Sequence, residues 1–129
     1  EIVVVHDGVR PFTTTQMITE TVEAAVQHGA AIAAIPVNDT IKKVTDGFVE
    51  KTISRDGLWR VQTPQAFQYG ILQKAFEKAI ADSYYGTDEG ALVEYLGSQV
   101  KIVFGSELNI KITRKEDLIL GEGLLSVVK

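Results

Sequence analysis

The segment His6-Asp7-Gly8-Val9-Arg10-Pro11 gathers an imidazole, a carboxylate and a guanidinium beside two turn-forming residues, immediately after the apolar run Ile2-Val3-Val4-Val5. Open α/β sheets bind their ligands just outside the carboxyl ends of the strands, so this is a favourable place for chemistry. Asp7 is either a turn former that satisfies backbone donors or a contact for a metal ion or a hydroxyl. Arg10 is either an ordinary exposed arginine or a holder of a phosphate-bearing ligand. His6 reads as a packed loop histidine, because no second histidine or cysteine lies near enough in sequence to suggest a metal cluster. Thr87 reads first as a helix N-cap, a role that leaves its hydroxyl able to donate to a ligand. Lys111, within Asn109-Ile110-Lys111-Ile112-Thr113, reads by default as a solvated lysine on an edge strand.

The elements that must position these groups follow from periodicity. A continuous β-branched run such as Ile2 to Val5 suits a central parallel strand covered on both faces. Thr14 or Thr15 caps a helix whose apolar positions Ile18, Val22, Ala25 and Val26 keep helical spacing, and Gly29 stops it. Ala30 to Ile35 resumes a buried strand, completing strand, helix, strand. Between Pro36 and Pro64 the pattern changes to two short strand-like runs, Thr40 to Val44 and Phe48 to Ile53, separated by the hairpin dipeptide Asp46-Gly47. Arg55-Asp56-Gly57 gives a second turn, and Trp59 then suggests that this arm folds back and packs on its own chain or on another subunit. Leu72, Ala75, Phe76, Ala79 and Ile80 form an amphipathic helix, and Thr87-Asp88-Glu89 opens another that carries Ala91, Leu92, Tyr95 and Leu96. Val100 to Phe104 is a further strand. Thr113-Arg114-Lys115-Glu116 has the form of a capping box ahead of a last helix with Leu118, Leu125 and Val128. The class is therefore α/β with a mainly parallel sheet, interrupted by one hairpin excursion.

Composition narrows the function classes. A chain of 129 residues with 45% apolar and 23% charged residues is expected to form one globular domain. A net charge of −4 argues against nonspecific nucleic-acid binding, which demands a basic surface. No apolar run approaches the ~20 residues that cross a bilayer, so no membrane partner is expected. The absence of cysteine and of a basic leader at Glu1 leaves the cytoplasm as the expected compartment.

Taken together, five motifs in order resemble the 2-C-methyl-D-erythritol 4-phosphate cytidylyltransferases of the non-mevalonate isoprenoid pathway. They are VHDGVRPF at Val5 to Phe12, DTIKK at Asp39 to Lys43, SRDGLWRVQTPQAF at Ser54 to Phe67, TDEGALVE at Thr87 to Glu94, and NIKIT with EDL at Asn109 to Leu118. The resemblance covers essentially the whole chain. It implies a three-layer α/β/α, Rossmann-like nucleotidyltransferase fold with a protruding hairpin arm at 37–62. It also implies transfer of CMP from CTP to 2-C-methyl-D-erythritol 4-phosphate with release of pyrophosphate.

Such a reaction brings two anions together, so positive groups must hold the nucleophile in line. The resemblance assigns that catalytic positioning to Arg55 and Lys111. It places Asp7 near Mg²⁺ and the substrate hydroxyls, and Arg10, Thr40, Thr63 and Thr87 around the substrate. It further implies a homodimer in which the arm carries Thr40 and Arg55 to the partner's site. The family's glycine-rich triphosphate loop and its lysine have no counterpart here, so the chain is expected to be the C-terminal portion of one incomplete domain, 1–129, inactive by itself. Gly8 and Val9 stand where the family more often has two alanines. A ribitol-5-phosphate cytidylyltransferase shares the HD-x-x-RP, TPQ and NIK motifs and is the alternative enzyme, while a noncatalytic module that dimerises and binds a polyol phosphate is the alternative outside catalysis.

Overall fold

The computed structural model describes residues 1–127. In chain order the elements are β1 (Ile2–Val5), α1 (Thr15–His28), β2 (Ala30–Pro36), β3 (Ile41–Thr45), β4 (Phe48–Ile53), β5 (Trp59–Gln68), α2 (Tyr69–Ala81), α3 (Glu89–Leu96), β6 (Lys101–Phe104) and α4 (Lys115–Leu125). Four strands form one sheet in the order β1-β5-β2-β6, and β3 and β4 pair only with each other. Within the large sheet β1, β2 and β6 share one direction and β5 runs against them. Helix α1 covers one face through Ala25 on Ala31 and Ala66. Leu72, Ala75 and Ala79 of α2, with Leu92 and Val93 of α3, cover the other through Ala30, Ile32 and Phe67. Three layers result. Among the described residues no helix is long and apolar enough to cross a membrane.

Local chemistry accounts for the helix ends. Thr14 caps α1 by accepting the Met17 N–H at 3.1 Å, and Gly29 closes it at φ 97° with its N–H on the Ala25 carbonyl. The buried stripe is Met17, Thr21 and Ala25 rather than the expected Ile18 and Val26, which are exposed. Small or satisfied side chains lie inward because the sheet beneath is built of alanines, and Thr21 places its hydroxyl on the Met17 carbonyl at 2.7 Å. Helix α4 begins one residue later than the expected capping box. The Asp117 carboxylate, not Glu116, accepts the Thr113 and Arg114 N–H groups at 3.1 and 3.0 Å. These two bonds lower the Asp117 pKa below its ordinary value, the Thr113 bond most. Leu118 and Leu125 are exposed, Gly121 is the buried position of the helix, and Val128 lies outside the described residues.

Two strands differ from expectation. β1 is an edge strand among the described residues, yet both of its faces meet core, since Ile2 packs towards α1 and Val3 and Val5 towards α2 and α3. Partial cover on both sides accounts for Ile2, Val3 and Val5 without a central position, while Val4 is exposed. β5, the longest strand, was masked in the sequence by Gln62, Thr63, Pro64 and Gln65. Its pairing with β2 jumps from Ile32↔Gln65 to Ala34↔Val61, so Gln62, Thr63 and Pro64 bulge opposite Ala33, and the Thr63–Pro64 peptide is cis. A bulge is where a sheet tolerates proline.

The hairpin β3–β4 occupies Ile41–Ile53, and Trp59 to Gln62, within the expected arm of 37–62, belong to β5. Asp46 and Gly47 both have positive φ, 53° and 83°, as a two-residue hairpin turn of the primed type requires. Val44, Phe48 and Val49 of the arm are exposed. Trp59 packs edge-on to Phe104 of its own chain, with centroids 5.2 Å apart.

Candidate active site

The chain leaving β1 meets the bulge of β5. There the Asp7 N–H donates to Thr63 Oγ1 at 3.0 Å. Arg10 Nε donates to Asp7 Oδ2 at 3.2 Å, and Lys111 Nζ lies 3.8 Å from the same oxygen. Two cations on one carboxylate leave one positive charge over. Arg10 is largely buried and turns its Nη1 onto the Asn109 carbonyl at 2.7 Å, whereas the Lys111 side chain is 49% exposed. Lys111 is thus the cation free to meet an incoming anion.

A buried amide network holds this arrangement. Asn109 is fully buried; its Nδ2 donates to the Thr63 carbonyl at 2.8 Å and to Gln62 Oε1 at 3.2 Å, and its Oδ1 accepts the Thr13 hydroxyl at 2.9 Å. Gln62 donates to the Ser106 carbonyl at 2.9 Å and accepts the Ser106 N–H at 3.2 Å. The segment 105–112 is therefore fastened to the bulge, and Lys111 arrives beside Asp7 on a clamped loop rather than on the expected edge strand. Two backbone bonds, from the Gly105 N–H to the Ala34 carbonyl and from the Ile112 N–H to the Val9 carbonyl, both at 2.8 Å, complete the attachment. Gln65 ties the other flank, donating to Asp88 Oδ2 at 3.0 Å and accepting the Gly90 N–H at 3.3 Å.

A cavity of about 560 Å³ opens over these residues, and Asp7, Arg10, Thr63, Thr87 and Lys111 all border it. Five of the seven residues singled out in the sequence converge there. The N-cap of α3 is Asp88, which accepts the Ala91 N–H at 2.7 Å, so Thr87 is relieved of the capping role expected for it. An aspartate outcompetes the preceding threonine because its carboxylate also receives Gln65. Thr40 and Arg55 do not border the cavity. Both are exposed on or beside the arm, where Arg55 donates to the Asn38 carbonyl.

Among the described residues no three metal-binding side chains come together. Asp7 offers a single carboxylate, already engaged through Oδ2. That suits Mg²⁺, which binds through one or two carboxylates plus substrate phosphates, and does not suit an all-protein metal cage. Sequence reasoning gave no role to Gln62, Gln65, Asn109 or Thr13. For Gln62 and Gln65 the signal was a run of polar residues inside a segment too apolar at its end to be a loop, legible only once β5 is known to be buried, while Thr13 and Asn109 carried none.

The family model for 2-C-methyl-D-erythritol 4-phosphate cytidylyltransferase matches residues 1–127. A cytidylyltransferase of that name from Syntrophus aciditrophicus is 53% identical over 126 residues, covering 97% of this chain and 54% of that protein. Its counterpart from Geobacillus thermodenitrificans is 52% identical over 126 residues, with 98% and 55% covered. The crystal structure of the Thermus thermophilus enzyme superimposes with a TM-score of 0.91 at 34% identity, over 97% of this chain and 62% of that one. The chain spans about half the length of the curated relatives it matches.

Proposed function

Because this chain belongs to the 2-C-methyl-D-erythritol 4-phosphate cytidylyltransferase family, we propose that it supplies the polyol-phosphate side of an active site that transfers CMP from CTP to 2-C-methyl-D-erythritol 4-phosphate, in the cytoplasm. The observation that carries this reading is the convergence of Asp7, Arg10, Thr63, Thr87 and Lys111 on one cavity. Lys111 meets the substrate phosphate, Arg10 lines the pocket and holds Asp7, Asp7 accepts from polyol hydroxyls, and Thr63 and Thr87 fix the remaining hydroxyls. Held in this way, the phosphate oxygen is presented to the α-phosphorus of CTP, and pyrophosphate leaves. Mg²⁺, when bound, neutralises charge on the triphosphate, and Asp7 is the residue of this chain that would hold it. The triphosphate itself falls to the portion of the relatives outside the match, so the chain alone turns over nothing.

The position of Arg55 and Thr40 favours a homodimer. Both lie off the cavity of their own chain, on an arm whose apolar residues Val44, Phe48 and Val49 have no cover within it. In a two-fold pair the arm delivers Arg55 and Thr40 to the partner's cavity and buries those side chains.

The test is CTP-dependent pyrophosphate release by the full-length protein with methylerythritol phosphate and with ribitol phosphate. Release with the first is expected, and selective use of ribitol phosphate would overturn the substrate assignment. Arg55→Ala should lower kcat/KM by about 10²–10³, the effect of removing one preorganised electrostatic donor. A near-normal rate would sink the role given to Arg55.

A further inference from the structure

Thr87 borders the cavity from an exposed connection between α2 and α3, and its hydroxyl serves a ligand there only if that connection is held still. The downstream end is fastened, because Asp88 caps α3 through the Ala91 N–H and receives Gln65 on its other oxygen. The upstream end has no part in the reading above. We propose that Tyr84, stacked on Tyr95 of α3, is the positioning residue that fixes the upstream end and so holds Thr87 against the polyol portion of the ligand. The proposal rests on the polyol-phosphate reading of the same cavity.

Tyr84 and Tyr95 lie face to face, with ring centroids 4.0 Å apart and planes 5° from parallel. The backbone is pinned at the same residue, where the Tyr84 N–H donates to the Ala79 carbonyl at 2.8 Å. Tyr95 is gripped in turn by the end of α2. Its hydroxyl donates to Asp82 Oδ2 at 2.7 Å, and Lys78, 3.3 Å from that same oxygen, places its ammonium 5.1 Å from the ring centroid. Asp82 and Tyr84 can both meet one ring because Ser83, between them, turns the chain at φ 52°. A serine holds that left-handed conformation only where contacts on either side of it over-determine the path.

Only Tyr85, Gly86 and Thr87 then lie between two fixed points. Tyr85 is 92% exposed. Gly86 runs close against α3, where an added Cβ would meet Leu92 Cδ2 at 3.0 Å and Ala91 Cβ at 3.1 Å. Phe76, Gly86 and Leu92 border both the cavity and a second recess of about 380 Å³ on which Tyr84 also lies, so the stack stands behind the wall that carries Thr87. Three residues tied at both ends have few paths open to them. Without the Tyr84 ring the nearest upstream side-chain tie is Asp82, and the free span grows to the five residues 83–87.

The first readout needs no substrate. In the full-length protein the backbone amides of 85–87 should have relaxation order parameters near ~0.85, falling below about 0.6 in Tyr84→Ala while the amides of 91–96 in α3 stay rigid. Tyr84→Phe, which keeps the ring, should change none of them. Amides of 85–87 that are mobile with Tyr84 in place, that stay rigid in Tyr84→Ala, or that loosen no more than α3 does overturn the proposal. The second is steady-state kinetics. Thr87→Ala should raise KM for the polyol phosphate about tenfold, the loss of roughly one well-made hydrogen bond, and Tyr84→Ala about fivefold, with kcat and the KM for CTP little changed. Tyr84→Phe should keep the native KM, and Tyr84→Ala should add nothing to Thr87→Ala, since it acts only through that residue. An unchanged KM in Tyr84→Ala, a phenylalanine variant no better than alanine, or additive effects of the two alanine changes overturns it. The expected loosening of 85–87 in a protein that uses no polyol phosphate, or whose Thr87→Ala variant keeps the native KM, would instead refute the functional reading, and the ligand half of this proposal with it.

Discussion

Replacing Asn109 separates two explanations of why it is buried: that it fills space, or that it supplies N–H donors. Its amide donates to the Thr63 carbonyl and to Gln62 Oε1, both acceptors with no proton to offer. Asn109→Ala leaves the Thr63 carbonyl without that donor and opens a small void. An orphaned buried acceptor costs about 1–3 kcal/mol, and with the void the total is roughly 2–4 kcal/mol. For a chain of this size that corresponds to a fall in Tm of roughly 6–20 °C by calorimetry or circular dichroism. Asn109→Asp has nearly the same shape, yet it turns a carboxylate oxygen towards two acceptors and buries a charge. It should therefore be worse than alanine at neutral pH. It should also regain stability on acidification, because burial among acceptors raises the carboxyl pKa and the neutral acid can donate once. If Asn109→Asp proves more stable than Asn109→Ala at neutral pH, shape rather than donation holds the site together and the reasoning fails.

Gly105→Ala should disturb the same network from outside: an added Cβ would lie 2.2 Å from Gln62 Oε1, so the glutamine must leave Ser106 and Asn109. A loss of about 1–3 kcal/mol in denaturant unfolding is expected, and an unchanged midpoint would show that Gln62 does not depend on that close approach. The Asp117 carboxyl has a lowered pKa through its bonds to Thr113 and Arg114, and Asp82 through its bonds to Tyr95 and then Lys78. Their stabilisation is therefore complete above the ordinary value of 3.8 and disappears as pH falls through the lowered values. Asp117→Asn should flatten the acid limb of a stability-against-pH curve, and an identical limb in the variant would refute its capping role.

Elements fixed by local chemistry were legible in the sequence: the Thr14 and Gly29 caps, the Asp46-Gly47 turn, and the all-apolar β2. What could not be read was decided by partners distant along the chain. β5 looked broken because Pro64 and its polar neighbours are tolerable in a strand only at a bulge, and the bulge exists only opposite Ala33. Thr87 lost the cap of α3 because Asp88 has Gln65, 23 residues earlier, as a second partner. Of the expected α1 stripe, Ala25 and Val22 do face the sheet, but Ile18 and Val26 point outwards, because periodicity finds an apolar face without saying how small the facing sheet is. Motif order singled out Asp7, Arg10 and Lys111, while the contacts that bring Lys111 beside Asp7 lie in Asn109 and Gln62, whose spacing carries no pattern.

The bulge has a consequence for how this protein can change over generations. On one side of it β5 builds the interior, through Ala66 and Phe67, and on the other it carries Gln62 and Thr63 to the cavity rim. Because a single strand does both, a repacking of the interior that slid β5 by one residue would carry Thr63 away from His6 and Asp7 at the same stroke. Drift in the core and drift in ligand preference are therefore not independent here. A changed cavity lining is reached most readily through segments held to the bulge chiefly by side chains, such as 105–112, and least readily through β5 itself.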